Sequence, residues 1–258
     1  MKLLVTNDDG IDSIFFRELV VALRAVGHDL YVVAPAREQS WVGAGKTKAR
    51  PVKCNAGDHG FGCPTWVIDG TPSDCVNIGL AHLVKARMDG VVSGINVGFN
   101  CSLGFILASG TVAGAWEGAL HGLPALAVSQ DISPALYEHL KERGGEPDAD
   151  LRTTLINSAA HAARLAGDLL PRTPARSFIV HNVNLPYPCH PDTAVRRTVP
   201  ARYFVPGLFS PADADGTHRL IWAVGEDVSP KEPLTDIACL AAGFISHTVL
   251  DYTRLGHL

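Results

Sequence analysis

The chain is 258 residues long, 47% hydrophobic and 19% charged, which suits one sizeable core with an elaboration rather than two full domains. Its formal charge of -4, from 22 basic and 26 acidic residues, argues against a nucleic-acid scaffold, because such proteins carry a basic face or stripe. No apolar run suits a membrane span or the core of a signal peptide, and acids stand early at Asp8, Asp9 and Asp12. The six cysteines form no C-x-x-C pair and read as reduced thiols of a cytoplasmic protein. The eleven histidines show no H-E-x-x-H or paired Cys/His spacing, so no zinc site is expected.

Lys2 to Thr6 reads as a short buried strand. Phe15, Phe16, Leu19, Val20, Leu23 and Val26 then recur at helical spacing, and Gly27 closes the run. HDLYVVAP supplies a second strand, so the first 35 residues predict a right-handed βαβ unit. Residues 36–50 have no period and read as a loop; 51–69 read as an excursion ending in the strand TWVID. Thr71 and Pro72 predict a helix start, with Val76, Gly79, Leu80, Leu83 and Val84 on its inner face. DGVVSG, a helix over 111–121, PALAVS, a helix over 151–170 and SFIVHNVNLP continue the alternation. The fold class is therefore α/β, a doubly wound, mostly parallel sheet over residues 1–185. Eight of the 17 prolines fall between 186 and 233, so 186–235 reads as an extended β-rich arm with strand-like pieces around 193–205 and 217–224. Residues 236–258 carry GFISHTVL, a strand returning to the main sheet or joining a partner subunit.

In open parallel sheets ligands bind beyond the carboxyl ends of the strands. The first strand ends in Asn7-Asp8-Asp9-Gly10, where two like charges stand side by side with no basic neighbour. Either these form a solvated turn with a helix cap, or they hold a cation. Other strand exits offer the Ser40 hydroxyl and the Asn96 side-chain oxygen, which together with Asp8 and Asp9 would make an open oxygen cage suited to Mg²⁺ or Mn²⁺. Ser109-Gly110-Thr111 lies where a helix begins; it reads either as a plain N-cap or as an anion cradle aided by the helix dipole. Gly43-Ala44-Gly45-Lys46-Thr47 imitates the end of a phosphate-binding loop, but Ser40 stands where the motif wants glycine and no obvious helix follows.

Taken together, LLVTNDDGI, VVAPAREQS, GTPSDCV and SGINVGFN…SGTVAGAWEG resemble the SurE survival-protein family of metal-dependent nucleotidases and phosphatases, with weaker support from NVNLP and TDIACLAAGFISHTVLDYT. The resemblance implies a Rossmann-like core, a C-terminal extension exchanged between subunits of a homodimer or homotetramer, and hydrolysis of nucleoside monophosphates. It implies one Mg²⁺ or Mn²⁺ per subunit on Asp8, Asp9, Ser40 and Asn96, with Asp8 and Asp9 catalytic. Asn100, Ser109, Gly110 and Thr111 would hold the substrate phosphate, and Asp74 would brace a helix. The chain departs from the family pattern at Ala36, where an acid is usual, and at Trp41, where a small residue follows the serine. It departs again at Ala108, before SGT, and in a tail without the usual proline. These changes leave the metal ligands and alter the pocket, with Trp41 either stacking on a base or packing on the arm.

Three other readings compete. A receiver-like domain needs an aspartate where Ser93 ends the middle strand. A haloacid-dehalogenase-type phosphatase needs D-x-D-x-T. A SurE-like homologue with a specialised substrate, or one that binds nucleotides without hydrolysing them, satisfies the same motifs.

Overall fold

The computed structural model describes residues 1–221 and 225–255. In β1 (Lys2–Thr6) the period-two alternation sends Leu3 and Val5 into one core and Leu4 into the other, so the strand is buried on both faces. On the first face pack α1 (Ile14–Ala25), capped by Ser13, and a long helix numbered α6 below. The helix α1 buries Phe15, Phe16, Leu19, Val20 and Leu23. Val26 is 58% exposed because it is already the C-cap, one residue before Gly27 turns left-handed at φ 84°.

The chain continues through β2 (Asp29–Pro35), β3 (Cys54–Ala56), β4 (Thr65–Ile68) and α2 (Pro72–Ile78). Thr71 and Asp74 form a reciprocal capping box at the start of α2. This helix is shorter than its apolar spacing predicts. Gly79, a poor helix former pressed against Leu4 and Val33, opens a π-helical turn over Gly79–Leu83, and Val84 is extended. Then come β5 (Gly90–Val97), α3 (Ser102–Ala108), α4 (Gly110–Leu120), β6 (Ala125–Gln130), α5 (Pro134–Glu142), α6 (Ala149–Leu169) and β7 (Ile179–Leu185). Sequence periodicity misses α3 and α5. The helix α6 starts two residues earlier than expected because Asp148 caps it.

The remaining elements are β8 (Val195–Thr198), β9 (Tyr203–Phe204), β10 (Glu226–Asp227), α7 (Asp236–Ala241) and β11 (Ile245–Asp251). The main sheet runs β3-β4-β2-β1-β5-β6-β7-β11-β8, antiparallel only at β3/β4 and β7/β11. Within residues 186–235, β8 joins the sheet edge and β9 pairs with β10 apart from it; β11 lies between β7 and β8 of its own chain. Of the strand-like stretch 217–224, Leu220 makes an isolated bridge to Phe209, and residues 222–224 lie outside the described residues, as do 256–258 of the tail.

Strand order reverses between β1 and β5, which opens a crevice beyond their carboxyl ends. The strand predicted to stop at Gly94 in fact runs on to Val97. Its register shifts between Ser93 and Asn96, and Gly94 adopts φ 129° where a Cβ would collide with the Val128 carbonyl oxygen. Asn96 thus stands on the strand, not on a loop after it.

Candidate functional site

The site is assembled by how closely α4 lies on the sheet. A Cβ at Gly114 would meet the Ser93 Oγ at 2.9 Å and the Thr6 Cγ2 at 3.0 Å, so glycine lets the helix approach the ends of β1 and β5. At the start of α4, a Cβ at Gly110 would lie 2.9 Å from both Cβ and Oδ2 of Asp8. Ser109 caps the helix by accepting the Val112 amide at 3.0 Å. The Thr111 hydroxyl donates to Asp8 Oδ1 at 2.5 Å.

Asp8 and Asp9 divide in environment. The turn is fixed by Asn7 Nδ2 donating to the Gly10 carbonyl at 2.8 Å and by the Gln39 amide donating to the Asp8 carbonyl at 2.7 Å. Asp8 is buried, and Asp9 is half-buried with its Oδ2 accepting the Val97 amide at 3.0 Å. Burial pushes the Asp8 carboxyl up to about 6, against the lowering pull of the Thr111 hydroxyl. Burial, and then the charge of Asp8, hold Asp9 well above the usual carboxylate range. Glu38 adds further negative charge to both.

Asn96 donates its Nδ2 to the Gly98 carbonyl at 2.7 Å, which directs its amide nitrogen away from any cation and leaves its Oδ1 without a hydrogen bond among the described residues. Ser40 is exposed and donates to Glu38 Oε1 at 2.7 Å. A cleft of about 470 Å³ runs past Asp9, Glu38, Ser40 and Val97 to Tyr137 and Lys141. Asn100 is held on every side: its Nδ2 reaches Ser129 Oγ at 2.8 Å and Thr111 Oγ1 at 3.3 Å, its amide donates to Asn184 Oδ1, and its carbonyl accepts from Asn182. Trp41 is 40% exposed beside Ser40.

The donor set fits a hard divalent cation. Two carboxylates without a cationic partner among the described residues, an amide oxygen and a hydroxyl are all oxygen donors. Among the described residues no three His, Cys, Asp or Glu side chains converge, so such an ion would complete its shell with water or substrate oxygens, as Mg²⁺ commonly does. Asp74 turns out to serve packing: besides its capping role it accepts the Thr47 amide at 3.2 Å. Sequence reasoning overlooked Glu38 and the two buttresses Asn182 and Asn184. The latter alternate on one face of β7 within NVNLP, a period-two polar signal that would have marked them.

A family model described as Survival protein SurE matches residues 3–203. The chain belongs to the SurE family. It is 35% identical to the 5'-nucleotidase SurE of Trichormus variabilis over 98% of this chain and 93% of that one. It is 36% identical to 5'-nucleotidase SurE 1 of Thermus thermophilus over 100% and 95%. The crystal structure of the SurE protein from Aquifex aeolicus superposes with a TM-score of 0.74 at 27% identity, covering 99% and 97% of the two chains. Membership of the SurE family agrees with the α/β architecture and with the order of the motifs along the chain. Among the described residues no single helix is long and apolar enough to cross a membrane.

Proposed function

We propose that this chain is a divalent-metal-dependent phosphomonoesterase that converts nucleoside 5'- or 3'-monophosphates to nucleoside and inorganic phosphate. The observation that carries the reading is the apposition of Asp8 to the N-terminus of α4, a cation-seeking carboxylate pair facing an anion-seeking helix end. The names of the relatives support it.

Asp8, Asp9, Ser40 and Asn96 would hold one Mg²⁺ or Mn²⁺, which supplies Lewis-acid polarisation of the phosphoryl group. Asp8 and Asp9 are the catalytic carboxylates in this reading. Thr111 fixes the Asp8 carboxylate, and Val97 fixes that of Asp9, so neither reorganises when substrate arrives. The Ser109-Gly110-Thr111 turn binds the phosphate with the helix dipole behind it, and Asn100, expected to touch the phosphate, instead braces that wall by donating to Thr111 Oγ1 and Ser129 Oγ. Water adds to phosphorus as the ester P–O bond breaks, and one of the water's protons ends on the departing sugar oxygen, giving nucleoside and inorganic phosphate.

The same reading takes 1–185 as the SurE-like core and 236–258 as the returning tail. It takes 186–235 as an arm that joins a homodimer or homotetramer, which the exposed Phe204, Phe209 and Leu220 support. A cytoplasmic setting is supported by six cysteines free of disulfides. The test is phosphate release from 5'- and 3'-nucleotides and simple phosphomonoesters, with Mg²⁺, Mn²⁺ or a chelator. Turnover that the chelator abolishes is expected; turnover indifferent to it, or none on any phosphoester, would overturn the proposal.

A further inference from the structure

Three aromatic side chains meet beside the site, each next to residues already placed in it. Trp41 follows Ser40, so their Cα atoms stand about 3.8 Å apart. Phe99 precedes Asn100, and Phe105 lies on α3, whose C-cap is Ser109. Trp41 meets Phe105 edge to face, centroids 5.4 Å apart and planes at 68°. Phe105 meets Phe99 in the same manner at 5.9 Å and 83°. The rings make one continuous wall from the Ser40 segment to Asn100.

The backbone holds this wall in an unusual way. Trp41 has φ 64°, a left-handed conformation that bulky residues rarely adopt. The next turn is tied to α3 by the Gly43 amide, which donates to the Ala108 carbonyl at 2.9 Å. Such conformations persist only where the surroundings impose them, and they concentrate at ligand sites. Here the result is a large indole kept 40% exposed next to Ser40, on a loop whose Gln39 carbonyl a Cβ at Gly110 would meet at 3.2 Å.

We propose that Trp41, backed by Phe105 and Phe99, is the face on which the substrate's nucleobase stacks while its phosphate occupies the Ser109-Gly110-Thr111 turn. This deepens the nucleotidase reading and rests on it. Stacking uses the π-face that every base has, so the wall selects a planar aromatic group on the phosphate-bearing sugar without choosing among bases.

The test compares adenosine 5'-monophosphate with ribose 5-phosphate, which keeps sugar and phosphate but lacks the base. Trp41→Gly also suits the left-handed backbone. It is expected to lower kcat/KM for the nucleotide about tenfold more than for the sugar phosphate, acting through KM. Trp41→Phe retains an aromatic face and recovers most of that ratio. Equal losses on the two substrates, or none on either, overturn the proposal. So does a change in oligomeric state with the ratio intact, which assigns the wall to a second copy of the chain. Calorimetric binding of adenosine separates this from the reaction itself. If the wild type hydrolyses neither compound, the hydrolase reading falls. Adenosine binding weakened by Trp41→Gly would then still support the stacking face, and equal binding by the two proteins would overturn it.

Discussion

Two buried polar regions of one sheet solve the same problem in opposite ways. At the exit of β1, beside the end of β5, Asp8 and Asp9 are carboxylates without a cationic partner among the described residues, and their protonation is pushed upward. Between β7 and β11, His181 and His247 are buried as a neutral, directional chain. Thr173 donates its only hydroxyl hydrogen to the Leu169 carbonyl, so it accepts from His181 Nε2 at 2.7 Å. His181 Nδ1 must then accept from His247 Nε2 at 2.9 Å. A further proton on His181 would face a donor; burial and then Arg197 hold His181 down at about 4, and burial, then His181 and Arg197, hold His247 down at about 4. One region keeps two hydrogen-bonded carboxylates whose like charges nothing among the described residues offsets; the other is satisfied as it stands. Buried polar groups that satisfy each other hold the fold together, and those that do not mark where a ligand belongs.

The sharpest break of this contrast is Asp8→Asn. It is expected to lower metal-dependent turnover by about 10³-fold or more while raising the melting temperature in chelator by about 2–4 °C, since repulsion is relieved and the Thr111 hydroxyl keeps an acceptor. Calorimetry and phosphate release measure both; a lower melting temperature would mean that Asp8 is structural.

The histidine chain predicts a pH effect. Both rings have folded values near 4, below the ordinary 6.5, so the unfolded state takes up protons first. Stability contributed here is full above about pH 6.5 and is lost as pH falls toward 4, by up to about 3 kcal/mol per ring. Asp8, raised to about 6, works in the opposite sense in the metal-free protein. Urea unfolding from pH 7 to 4.5 should therefore show a shallower acid loss in the double variant His181→Gln, His247→Gln than in the wild type. Identical slopes would sink this account.

The smallest effect comes from a carboxylate between the two extremes. Glu117 on α4 is buried but meets Lys46 Nζ at 2.6 Å and Asn77 Nδ2 at 2.8 Å. Lys46 is half exposed, so Lys46→Met should cost about 1–2 kcal/mol, less than a fully buried pair would. Adding Glu117→Gln should restore most of it, which a double-mutant cycle by denaturant titration checks.

The lysine of the misleading GAGKT stretch thus anchors its loop to the helix that the Ser109-Gly110-Thr111 turn opens. Spacing alone shows lysine and glycine there, and only the fold shows Glu117 beneath them. Similar limits govern the rest. The parallel core strands β1, β2, β4, β6 and β7, with α1, α2's cap and α6, were legible because alternation, 3.6-residue periodicity and capping residues are local signals, whereas the short β3 and β10 were not read. The end of α2, α3 and the extension of β5 were not legible, because Gly79 packs on Leu4 and Val33, α3 opens on Ser102 at φ 67° with its amide held by Asp236, 134 positions away, and Gly94 yields to Val128 across the sheet.

By itself the sequence determined the βα order, the paired acids after the first strand, the serine-glycine-threonine helix start and the family. Tertiary structure alone decided which of these residues meet. Strand order reverses between β1 and β5, and glycines let α4 press onto that reversal, so Thr111 reaches Asp8 across 103 positions of chain. Contacts over such separations depend on how whole layers pack, and no local pattern of residues encodes that distance.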